Sequence, residues 1–208
     1  MPTPIGHSLA GLTIQLASGK RPARHQLASA LLVVIVASLP DLDFIPGYLS
    51  GEPRAFHWGP SHSLFAAGLV GCAFGAFARY QRRPFLPVFL LMTAVYASHL
   101  LLDGLLGAGA PSIGLQVFWP FNTDRWMLPW AVFRMAPTTA ESVGPVGTLF
   151  TWEILPVVAR ELLILGPALV LAGITALLRG RAEVRHQDAG SASVTAGTRD
   201  IATRDASS

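Results

Sequence analysis

Six ionisable side chains stand at the ends of apolar stretches of this chain: His7, Asp41, Asp43, His62, His99 and Asp103. An imidazole or carboxylate in or beside a bilayer is costly unless something pairs with it, so each marks a functional-site candidate. Imidazole and carboxylate donors without cysteine suit a divalent cation, zinc or manganese, rather than a thiolate-bound structural zinc. The donors are numerous enough for one ion or two. Such ions would activate water and stabilise an oxyanion, which is the chemistry of ester or phosphoester hydrolysis. Asp41, Asp43 or His57 could take the proton of that water, with Asp41 and His57 the candidate catalytic groups.

The spacings carry this reading further. In Ser98-His99-Leu100-Leu101-Leu102-Asp103 the two polar groups are four apart, so a helix sets them on one face. The pair fits a shared cation, and equally a local hydrogen bond between acid and imidazole. In Leu39-Pro40-Asp41-Leu42-Asp43 the proline is expected to end a helix, and the two acids to alternate along an extended turn with both carboxylates on one side. A solvated post-helix turn is the plainer alternative. In His57-Trp58-Gly59-Pro60-Ser61-His62, Ser61 is expected to cap a helix whose first residue is His62. His57 would then lie in the preceding Gly-Pro turn, as a further ligand, a proton-transfer group or a loop histidine beside Trp58. The surroundings of His7 (Gly-His-Ser-Leu) resemble those of His62 (Ser-His-Ser-Leu), which predicts equivalent helix-start positions.

The elements that must position these groups are membrane segments. Of 208 residues, 51% are hydrophobic and 13% charged, with a mean hydropathy of +0.48. A soluble domain usually carries about 25% charged residues. Apolar segments run over about 4–18, 26–39, 62–80, 84–106 and 155–178. The fold expected is all-α, a polytopic transmembrane bundle of four to five membrane helices over 1–185, followed by a disordered tail over 186–208 rich in Ala, Ser, Thr and Gly. The first two segments are short for a full crossing. Cys72, the lone cysteine, lies in an apolar run and reads as packing.

Basic residues between the segments set the orientation. Lys20, Arg21 and Arg24, then Arg79, Arg82 and Arg83, then Arg179, Arg181 and Arg185 fall in alternate connections, which the positive-inside rule makes cytoplasmic. These clusters have no docking motif around them, so the net charge of +3 does not read as nucleic-acid binding. All six polar residues then come to the extracytoplasmic face. Trp58, Trp119, Trp126, Trp130 and Trp152 fall on that side as well, either as interface anchors or as loop core. Arg125 and Arg134 are the candidate substrate-binding cations. The bilayer itself is the expected partner, with an amphiphilic or lipid substrate; the oligomeric state is left open.

The ordered set Pro4-x-x-His7-Ser8-Leu9-x-Gly11, Leu39-Pro40-Asp41-Leu42-Asp43, His57-x-Gly59-x-Ser61-His62-Ser63, His99-Leu100-Leu101-Leu102-Asp103 and Trp119-Pro120-Phe121 resembles the YdjM-type family of inner-membrane metal-dependent hydrolases. The resemblance implies an inner-membrane location and a metal-dependent hydrolase activity. One position departs from it: the family commonly has an arginine after the first histidine of His-x-Gly, and here Trp58 stands there. If that arginine holds an anionic substrate, the role passes to Arg125 or Arg134. Two other classes compete. A metal-ion or proton transporter would place its site near the midplane on broken helices, and a non-catalytic scaffold would hold its metal in a closed shell.

Overall fold

The computed structural model describes residues 2–19, 26–52, 55–106, 114–133 and 152–205. It is helical, with no strand among the described residues beyond one isolated bridge between Leu115 and Trp126. The helices are α1 (Pro4–Ala17), α2 (Gln26–Ser38), α3 (Phe44–Ser50), α4 (Leu64–Tyr80), α5 (Phe85–Gly104) and α6 (Leu155–Asp205). Three stretches are long and apolar enough to cross a membrane: Gln26–Ser50, Phe85–Gly104 and Leu155–Ala182. The apolar α4 is a shorter fourth. At 14 residues α1 is only about 21 Å long.

Local chemistry explains the boundaries. Thr3 caps α1 by accepting from the backbone N–H groups of Ile5 and Gly6, and Pro4 follows at the first helical position, where its missing N–H is not needed. Helix α2 ends at Ser38, just ahead of Pro40, as the sequence predicts. The chain then continues through a 3-10 turn, Leu39–Asp43, directly into α3, so the apolar run extends to Ser50. Gly51, in the left-handed region at φ 78°, then closes it. The cap of α4 is Ser63, not Ser61: its hydroxyl accepts from Ala66 N–H, and His62 belongs to a separate 3-10 turn, Pro60–His62. Helix α6 continues to Asp205, through the stretch where a disordered tail is expected. Pro167 is the last proline of the chain, so no ring interrupts the backbone hydrogen bonds beyond it.

Helices α1, α2, α4 and α5 pack around a core of Val33, Val36, Ala37, Ala67, Met92 and Val95. Helix α6 lies along α1. Glycines let the backbones approach: a Cβ on Gly11 would stand 3.0 Å from Cβ of Ala37, and one on Gly75 of α4 would stand 2.8 Å from Cε2 of Phe85 on α5. Gly75→Val therefore overpacks the α4–α5 seam. A loss of about 1–3 kcal/mol is expected, read as a lower midpoint in thermal unfolding of the detergent-purified chain.

The chain runs of α1 and α5 fix two ends of the bundle. At one end the N-terminus of α1, the C-terminus of α5 and the start of α4 meet. At the other, Arg179 of α6 donates to the carbonyl of Ala17 at the end of α1, and the α4–α5 turn carries Arg82 and Arg83. The chain after α5 folds back over the first end, with Leu128 N–H donating to Gly104, Leu64 N–H to Val117 and Gln116 N–H to Trp58.

Candidate metal centre

His7, Asp41, His57, His62, His99 and Asp103 converge at that first end. They form two groups whose candidate ligand atoms lie within 4.8 Å of one another: His7, Asp41 and His99; and Asp41, His57, His62 and Asp103. Asp41 belongs to both. His7, His62, His99 and Asp103 are fully buried, all with relative exposures of 0%.

Each group reaches the cluster from a different element. His99 and Asp103 share one face of α5, with Nε2 of His99 3.6 Å from Oδ2 of Asp103. His7 comes from the first turns of α1. Its Nε2 is 3.6 Å from Oδ1 of Asp103, and its ring stacks on that of His99 with centroids 3.6 Å apart. The 3-10 turn after α2 brings Oδ1 of Asp41 to 3.4 Å from Nε2 of His99 and 4.0 Å from Nε2 of His62. Nε2 of His62 is also 3.5 Å from Oδ2 of Asp103.

The two acids of Asp41-Leu42-Asp43 diverge, against the expectation of an extended turn with both carboxylates on one side. A 3-10 turn advances about 120° per residue, so positions two apart point in different directions. Asp41 faces the cluster. Asp43 stands behind it and belongs to neither group: its oxygens lie 2.9 Å from Nδ1 of His57 and 3.0 Å from Nδ1 of His62, and they accept from Ser61 Oγ at 2.8 Å and from Trp58 N–H at 3.2 Å.

This backing fixes three of the four imidazoles. Asp43 takes Nδ1 of both His57 and His62, and the carbonyl of Ala37 accepts from Nδ1 of His99 at 2.8 Å. The Nε2 atoms of His57, His62 and His99 are left directed at the cluster, the arrangement by which outer partners orient metal-ligating histidines. Burial lowers the pKa of His57 against the opposing pull of Asp43, which favours the neutral ring. Burial also disfavours charge on His62, but the nearby carboxylates of Asp103 and Asp43 outweigh it and raise the pKa.

The cluster fits a divalent cation by a direct criterion. Buried side-chain atoms lacking a hydrogen-bond partner are Nδ1 and Nε2 of His7, both oxygens of Asp41, Nε2 of His57, His62 and His99, Oδ1 of Asp103, and Oγ1 of Thr93. All but Thr93 belong to these six residues. Leaving a buried polar group unsatisfied costs about 1–3 kcal/mol, more when it is charged. One or two cations at the centre would satisfy most of this set, each imidazole through one nitrogen.

Trp58 was legible only as an interface or loop residue. It is buried, holds a left-handed φ of 63°, and donates its indole N–H to Oδ2 of Asp103 at 2.8 Å. A buried indole needs an acceptor, and the nearby acids were the available signal. The remaining tryptophans divide: Trp126, Trp130 and Trp152 are exposed, and Trp119 is intermediate. Arg125 donates to the carbonyl of Gly114 at 2.8 Å, pinning its own loop. Arg134 lies outside the described residues. Sequence reasoning also passed over Glu161, although it is the sole acid of the last apolar segment; it is 1% exposed.

With this geometry in view, the comparisons are informative. The family model for the YdjM inner membrane protein matches residues 1–181. The chain belongs to the YdjM inner membrane protein family. That match spans every residue of the cluster. The inner membrane protein YbcI of Escherichia coli (strain K12) is 33% identical over 142 residues, covering 66% of this chain and 78% of that protein. No solved structure matches the chain. As a YdjM family member, this is an inner-membrane protein with a helical membrane domain and a His/Asp cluster able to hold a metal ion.

Proposed function

We propose that this protein is a membrane-bound metal-dependent hydrolase acting on an ester or phosphoester, at a site on the extracytoplasmic face. The observation that carries the reading is that, among the described residues, every orphaned buried side-chain nitrogen or oxygen except Oγ1 of Thr93 belongs to six residues of one cluster. His7, Asp41 and His99 would hold an inner ion. Asp41, His62 and Asp103 would hold an outer one, with Asp41 shared. Bound there, zinc or manganese would lower the pKa of water and polarise the scissile ester.

The chain's own residues supply the rest. Three protein ligands leave an open position at a catalytic metal. Nε2 of His57 borders the outer group, and its Nδ1 is held by Asp43, so His57 takes the proton of the attacking water. The Trp58 indole holds Oδ2 of Asp103. Asp43, between His57 and His62, sets the orientation of both rings. It acts as a positioning residue in this proposal, not as the ligand that its place in the sequence motif predicts. Arg125, exposed at the same end, and Arg134 would anchor an anionic head group. The neighbouring exposed aromatic side chains Phe121, Trp126 and Trp130 favour an amphiphilic substrate such as a phospholipid or lipid-linked intermediate.

The orientation rests on the basic residues at the opposite end of the bundle. Reporter fusions after Lys20 and after Glu52 test it: a cytoplasmic signal is expected from the first and an extracytoplasmic signal from the second. A cytoplasmic Glu52 would place the site on the other face. The activity itself is tested by release of a head group or phosphate from a mixed phospholipid panel, with divalent metal supplied and Asp41→Ala as the control. The competing scaffold reading uses His57 as a fourth ligand, closing the outer shell; it predicts no turnover of any lipid.

A further inference from the structure

The four histidines of the cluster are not held alike. His57, His62 and His99 each have Nδ1 fixed by a carboxylate or a carbonyl, whereas both ring nitrogens of His7 lack a partner. Apart from its stacking on His99, the position of His7 is set by its backbone. That backbone is tied one helical turn back: His7 N–H donates to the carbonyl of Thr3 at 3.2 Å. Thr3 in turn is clamped by Glu161 of α6, whose Oε1 accepts from Thr3 N–H and whose Oε2 accepts from Thr3 Oγ1, both at 2.5 Å.

Glu161 lies within the apolar stretch of α6, where an ionisable group is costly. It faces the N-terminus of α1, where exposed backbone N–H groups and the helix dipole favour a negative charge. The fit is close. A Cβ on Gly6 would stand 2.8 Å from Cδ and 3.0 Å from each carboxylate oxygen of Glu161. Glycine immediately before His7 is therefore what lets α6 approach the start of α1. Among the described residues α6 supplies no member of the two candidate ligand groups, yet it contacts the one element whose histidine has no tether of its own.

We infer that Glu161 is the positioning residue for His7, acting through Thr3 and the first turn of α1 to set the inner half of the cluster. The role of His7 as a ligand rests on the function proposed above; the mechanical coupling does not. Outer-shell partners of metal ligands typically change metal affinity by about 10–100-fold when replaced. Glu161→Gln is thus expected to weaken the inner ion by about tenfold or more, leaving the outer ion unchanged. Gly6→Ala, which pushes the carboxylate away without removing it, should act in the same direction.

Two readouts on the detergent-purified full chain separate the possibilities. The first is Zn²⁺ titration, with ions per chain counted for the unaltered protein, Glu161→Gln and His7→Ala. The second is mass-spectrometric mapping of histidines modified by diethyl pyrocarbonate in the absence of metal. The inference predicts that Glu161→Gln makes His7 reactive while His62 and His99 stay protected. It also predicts that the variant's Zn²⁺ binding copies that of His7→Ala. If the unaltered chain binds no Zn²⁺ but His7 is selectively exposed in the variant, the positioning role stands and the metal reading fails. If His7 remains as protected as in the unaltered chain, the positioning role is overturned. Should Glu161→Gln expose every histidine through unfolding, Gly6→Ala decides, since it displaces the carboxylate and leaves the Thr3 cap of α1 in place: selective exposure of His7 supports the inference, and unchanged protection overturns it.

Discussion

Asp41→Ala is expected to abolish binding of both ions, the largest effect of any single substitution in the chain. Asp41 belongs to both candidate ligand groups, and both its oxygens are buried without a hydrogen-bond partner. Removing one ligand from one site would leave the other intact; removing the shared carboxylate leaves each site a donor short and strips negative charge from both. His7→Ala and His62→Ala should each remove one ion and retain the other. Metal counted per chain by elemental analysis after dialysis checks the series. Equal losses in all three variants would show that the cluster behaves as one site.

The second large effect separates His57 from its neighbours. His57→Gln is expected to retain bound metal and lose lipid hydrolysis by about 10²–10⁴-fold, the usual contribution of a positioned general base. His62→Ala is expected to lose both the outer ion and the activity. The contrast follows from position. Both rings are backed by Asp43, but Nε2 of His62 lies between Asp41 and Asp103 at 4.0 and 3.5 Å, whereas His57 stacks on Phe44 at the outer edge of the cluster. Measuring metal content and head-group release on the same preparations provides the test. Loss of metal in His57→Gln would make that residue a ligand and favour the closed shell of a scaffold.

Much of this architecture was legible in the sequence because a membrane sorts polar residues harshly. His99 and Asp103 could be placed on one face from their spacing alone, since helical periodicity is insensitive to surroundings. The basic connections predict that His7, His62 and the end of α5 lie at one end of the bundle, and the structure places them together. What failed depended on the local helix type. Pro40 reads as a helix stop followed by an extended turn; α2 does stop at Ser38, but the chain then tightens into a 3-10 turn and so sends Asp41 and Asp43 in different directions. Ser61 and Ser63 are equally good caps by composition; only the 3-10 turn at Pro60–His62 selects Ser63 and frees Ser61 to bond Asp43.

The supporting residues were the least legible. Trp58 and Glu161 act through partners distant in sequence, Asp103 and Thr3, and no short motif encodes such pairings. Glu161 carried one signal nonetheless, as an acid isolated in an apolar segment. Trp58, which reads from the sequence as a lost anion contact, is a buried donor to a carboxylate of the cluster.

The proposed chemistry depends on divalent metal held by His7, Asp41, His62, His99 and Asp103. The most direct measurement is the metal content of the full chain, purified in detergent, loaded with Zn²⁺ or Mn²⁺ and dialysed. The account predicts up to two ions per chain for the unaltered protein and none for Asp41→Ala. A folded, unaltered chain that retains neither metal would contradict it.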